Sequence, residues 1–60
     1  MTREMLALLL RDTRLIAKQM RRTYALCGAH GDFASASLLE DWIDEAEGRY
    51  WFLFEMYRDD

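Results

Sequence analysis

Gly28-Ala29-His30-Gly31-Asp32 is where turn-forming residues cluster in this 60-residue chain. On either side runs an unbroken helical pattern of about 26 residues, so these five positions predict a reversal between two helices. Gly28 and Gly31 offer the positive-φ freedom that ends a helix. Asp32 is a strong N-cap for the next helix, its carboxylate placed to accept from Ser35 or its neighbour. The expected architecture is all-α, an antiparallel two-helix hairpin. It forms one unit over 1–60, with a helix over about 3–28, a turn over about 28–32 and a helix over about 33–58.

Working outward, the first helix can open at Thr2 and carries apolar spacing through Leu9, Thr13, Ile16, Met20, Thr23 and Cys27. Leu6, Leu10, Ala17 and Tyr24 widen that stripe. At 100° per residue Arg11, Arg14, Lys18, Arg21 and Arg22 fall more than about 110° from this seam, predicting a basic back. The second helix repeats the seam as Ala36, Leu39, Ile43, Ala46, Tyr50, Leu53 and Tyr57, with Trp42 and Phe54 at its edges. Trp51 and Phe52 project roughly 120–140° from that seam and share a side with Gly48, whose missing side chain admits a neighbouring helix. Gly48, Trp51 and Phe52 are therefore the expected interface between subunits.

Charge divides with the turn. Residues 1–31 hold six basic and two acidic residues, net +4, whereas 32–60 hold nine acidic and two basic, net −7. Opposite signs favour pairing of the two helices. A basic stripe can track phosphates, but without aromatic interleaving or a flexible basic tail it reads as a solvated or salt-bridging face, leaving only weak DNA contact as the minor reading. Cys27 is the sole cysteine, which excludes an intrachain disulfide and suits a reducing, cytoplasmic setting. The apolar run Met5 to Leu10 is far short of the ~20 residues of a membrane span.

Catalytic constellations are lacking in the pattern. Asp41, Asp44, Glu45 and Glu47 invite a metal reading, but a carboxylate site in a helical bundle ordinarily includes Glu-x-x-His, and none occurs here. His30 stands alone in the turn, and there is no phosphate-cradling loop and no zinc spacing. Two helices touching along one seam cannot bury enough apolar surface to order 60 residues, so other helices must complete the fold.

The turn and second helix, GDFASASLLEDWIDEAEGRYWFLFEM, resemble the C-terminal half of the Dps family of ferritin-like proteins. Gly31-Asp32, Ala34-Ser35-Ala36, Leu38-Leu39, Glu45, Glu47, Trp51 and Leu53 fall at matching places, and Thr2-Arg3-Glu4-Met5 with the leucine run resembles the start of that family's third helix. The resemblance implies half of a ferritin-like four-helix bundle, completed by other chains or by a missing half. Its role would be iron sequestration and oxidative-stress protection of DNA once partner helices are in place. Iron would be held only in the completed assembly, with either a homo-oligomer or a complementary N-terminal half chain as partner.

Ferroxidase activity is implied by the family, but its iron-oxidation ligands lie on the first two bundle helices, so this chain inherits no catalytic or metal-ligating position. Ala46 stands where the family often has His, and Gly48 where it often has Lys. Asp32 and Asp41 are the positions matching its acidic pore lining. The alternative expectation is a small helical self-assembly or adaptor module with no metal chemistry.

Overall fold

The computed structural model describes residues 1–59, in two helices: α1 (Arg3–Ala29) and α2 (Phe33–Asp59). Thr2 caps α1, its hydroxyl Oγ1 accepting from the Met5 amide at 3.1 Å. The reversal is made by three backbone bonds. His30 donates to the Leu26 carbonyl (3.0 Å), Gly31 to Gly28 (3.2 Å) and Asp32 to Cys27 (2.8 Å), which satisfies carbonyls that the last turn leaves free. Gly31 alone takes positive φ, at 74°. Gly28 stays inside α1, correcting the expectation that both glycines end the helix: one left-handed residue suffices to turn the chain. The Asp32 carboxylate then accepts from the Ser35 amide at 3.2 Å and starts α2.

The helices run antiparallel against each other with no strand among the described residues. Their contact is lined on α2 by Ala36, Ile43 and Ala46, flanked by half-buried Leu39, Tyr50, Leu53 and Tyr57, the anticipated seam. On α1 the buried residues are Leu6 and Ala17, while Leu9, Ile16 and Thr23 are exposed. The contact on α1 is therefore rotated toward the Leu6–Ala17 edge of the expected stripe. A broad stripe can be half covered by one neighbour, and a small residue such as Ala17 presents little bulk to a packed helix.

This rotation moves the basic residues as well. Arg21 is not on the back: its guanidinium pairs with Glu47 of α2. At the open ends of the helices, Arg3 Nη1 donates to the Tyr57 carbonyl (2.9 Å), with its guanidinium 4.0 Å from the Tyr57 ring centroid.

Three of the five buried hydrophobic residues are alanines. The hairpin measures 44 × 14 × 13 Å, with a radius of gyration of 13.8 Å, against about 10 Å for a compact domain of this length. It exposes 4863 Å², where a compact protein of its mass exposes about 4,100 Å². The elongated shape accounts for the excess, and it leaves large apolar side chains such as Ile16, Leu26, Trp42 and Trp51 exposed.

Candidate functional site

The two sides of the hairpin differ in chemistry. On one side Thr13, Ile16 and Met20 of α1 meet Trp42, Ala46 and Arg49 of α2 along a shallow groove, with Glu45 at its edge. Ile16 is 49 % and Trp42 47 % exposed, and Leu9, one turn before Thr13, is 39 % exposed. These residues continue the apolar stripes of both helices around the same side, as in a helix that packs against two neighbours roughly 90° apart. This open apolar face is the principal candidate site.

The opposite side is polar. Arg21, Tyr24, Glu40, Asp44 and Glu47 surround Ile43 there, with the Tyr24 hydroxyl donating to Glu40 Oε1 at 2.7 Å. That hydrogen bond, with the charge of Glu40, raises the Tyr24 phenol above its ordinary value. The hydrogen bond and charge of Glu47 likewise raise Arg21. Such exposed pairs set which helix lies beside which and contribute little stability.

Of the expected interface, Trp51 is 58 % and Phe52 65 % exposed. Trp51 makes edge-to-face contacts with Tyr50 (centroids 5.8 Å apart) and Phe54 (5.7 Å) of its own helix, and it borders the polar groove beside Arg14, Lys18 and Arg21. A Cβ built on Gly48 meets nothing within 4 Å. By helical periodicity Trp51 and Gly48 lie about 180° and 120° around α2 from Trp42, turned away from the open apolar face, whereas Phe52 lies about 80° from Trp42, at the edge of that face one turn after Arg49. Completing a bundle on that face leaves Gly48 and Trp51 uncovered.

Asp32, a pore candidate, is engaged locally as the cap of α2. Hydrogen bonding from Ser35, through its side chain and its amide, holds the carboxyl below its ordinary value. Asp41 is exposed, on the outer side of α2. The two are not brought together on one face. Cys27 is half-buried and free, and His30 is exposed in the turn.

Among the described residues no three His, Cys, Asp or Glu side chains converge as a metal site. The donor set present therefore does not fit an iron-oxidation centre. Nor is either helix long and apolar enough to cross a membrane.

Two features escaped the sequence pattern. Leu8, Leu15 and Leu26 form an exposed stripe on the outside of α1, visible in hindsight from their 7- and 11-residue spacing. Asp12 of α1 and Arg49 of α2 sit at the rims of the open apolar face, each opposite in sign to the balance of its helix.

A long hairpin with one capped turn and an apolar face open along both helices is the geometry of half a four-helix bundle. The family model for the ferritin-like domain matches residues 1–59. The chain therefore belongs to the ferritin-like family. No curated protein and no solved structure matches it.

Proposed function

We propose that this chain is a Dps-like, ferritin-type half subunit whose task is architectural. It supplies two helices of a four-helix bundle and the outer Gly48–Trp51–Phe52 contact between subunits. Iron sequestration and the protection of DNA from oxidative stress belong to the assembly that two further helices complete. Cytoplasmic residence follows from the same reading.

The observation that carries it is the open face of Leu9, Ile16, Met20 and Trp42 on a chain that belongs to the ferritin-like family. Oxidation chemistry would have to come with the other helices, because the carboxylates among the described residues do not converge with one another or with a histidine. The open face taken by itself also suits a second reading, a small helical self-assembly or adaptor module with no metal chemistry.

Sedimentation equilibrium at micromolar concentration, with circular dichroism on the same samples, tests the architectural claim. The expected result is a helical species heavier than one 7.2 kDa chain, or an unfolded chain that still requires its partner helices. A helical, cooperatively melting 7.2 kDa monomer would overturn it. Calorimetric titration with Fe(II) then separates the readings: saturable binding by an assembly containing complementary helices supports the ferritin-type role, and none supports the module.

A further inference from the structure

We propose that the open apolar face is covered by a second copy of this chain, related by a two-fold axis parallel to the helices. In that arrangement α1 of each copy lies antiparallel on α2 of the other, and Asp12 pairs with Arg49 of the partner subunit. The proposal rests on the reading of the hairpin as half a bundle and names what completes it.

The area suits a second copy. Two separate hairpins expose about 9,700 Å², twice the 4863 Å² of one. A compact protein of twice the mass exposes about 6,800 Å². Closing the face on itself therefore removes at most about 2,900 Å² from water, the value for a bundle as compact as an average protein, which reaches the roughly 2,000–5,000 Å² range of obligate homodimers.

Two symmetric ways of stacking the hairpins exist, and charge chooses between them. An axis perpendicular to the helices sets α1 on its own copy and α2 on its own copy. That arrangement sets a helix of net +4 beside its own copy and one of net −7 beside its own copy, most of the charge lying on faces turned away from the contact and acting at longer range. Both axes make every neighbour antiparallel, but only an axis parallel to the helices sets each basic helix on an acidic one.

Side chains at the rim agree with the second arrangement. Arg49 lines the open groove with Thr13, Ile16 and Met20. Antiparallel pairing places it at the height of Thr13, since Met20 lies toward Trp42 at the other end of the same groove. Rotation about an axis parallel to the helices preserves heights, so Arg49 arrives beside Leu9, Asp12 and Ile16 of the partner subunit. Asp12 is the acidic group at that level, about 40° around α1 from Ile16.

Within one hairpin both charges are weakly engaged. Asp12 lies 3.9 Å from its neighbour Arg11, and Arg49 lies 3.8 Å from Glu45 one turn away, all largely exposed. Each is free to turn to a partner. A cation facing the apolar stripe of a second helix is unfavourable unless an anion meets it, so the pair also fixes register. This dimer carries none of the iron-oxidation ligands, and a complementary half chain would have to displace one copy.

The test is a charge exchange between chains. Asp12→Arg and Arg49→Asp each turn two attractive pairs per dimer into repulsive ones, and each alone is expected to weaken association about tenfold or more. Mixed in equal amounts, the two variants restore opposite charges at both rims of a mixed dimer: one rim carries the native pair and the other the same pair with its signs exchanged. Native mass spectrometry should then find the mixed dimer in preference to either homodimer, with sedimentation equilibrium returning toward the wild-type constant.

Equal self-association of wild type and both single variants, or no preference for the mixed dimer, overturns this arrangement while leaving the half-bundle reading intact. A wild-type chain that is unfolded and monomeric at micromolar concentration overturns the second copy as occupant, again without touching that reading. A folded helical monomer overturns both.

Discussion

Replacing Gly48 with Ala separates the stability of the helix from that of the outer contact, because the two effects have opposite signs. Gly48 lies inside α2, away from any turn, and its φ is not in the left-handed region. Glycine there costs about 0.5–1 kcal/mol relative to alanine in backbone entropy. A Cβ at this position meets nothing within 4 Å, so the hairpin gives no steric reason for the glycine. In a completed bundle without an outer contact, Gly48→Ala therefore gains this amount per chain and raises Tm by several degrees.

If a partner helix approaches the Gly48 backbone with Trp51 and Phe52 filling the flanks, the added methyl enters that close approach and shifts assembly toward smaller species. Thermal melting gives the first quantity and multi-angle light scattering the second. The expected outcome is a higher Tm for the small species together with loss of the larger one. Trp51→Ala, which within its own chain removes the half-exposed ring contacts with Tyr50 and Phe54 and one wall of the groove beside Arg14, Lys18 and Arg21, should reduce the same larger species. If Gly48→Ala raises Tm and Trp51→Ala lowers it while both leave the mass distribution unchanged, the outer contact is refuted.

Ile16→Ala tests the other face. Its side chain is 49 % exposed in the hairpin, so truncation should cost well under 1 kcal/mol if that face stays open, but about 2–4 kcal/mol by denaturant unfolding if it is a bundle core, comparable to buried Ile43→Ala. Asp32 adds a pH dependence: its folded-state carboxyl is held low by Ser35, so its contribution is present above the ordinary carboxylate range and lost as pH falls through the depressed folded value. Asp32→Asn retains an acceptor and should flatten that part of a Tm-against-pH profile, and an unchanged profile refutes the cap as its source. The chain by itself is expected to oxidise Fe(II) no faster than buffer in an absorbance assay, because its carboxylates do not converge. Faster oxidation would reassign the chemistry to this half.

The fold is written locally, which is why it is legible without coordinates. Thr2, Gly31 and Asp32 act on backbone groups within five residues of themselves, and the seam of α2 recurs with simple helical spacing. The acidic candidates at Asp32 and Asp41 came from family resemblance, and their placement in this hairpin is one cap and one outer surface position.

Local signals thus specify two helices, their reversal, and more apolar surface than one hairpin can hide. Only the tertiary structure decided which half of α1's stripe the hairpin uses. A stripe spanning Leu9, Ile16, Leu6 and Ala17 is compatible with several rotations, and the one adopted buries the Leu6–Ala17 edge with Ala36, Ile43 and Ala46 of α2. That rotation brings Arg21 to Glu47 and leaves Ile16 and Trp42 open on the same side. Contacts between residues distant along the chain set this, and periodicity, which reads one helix at a time, carries no information about the angle at which two helices meet.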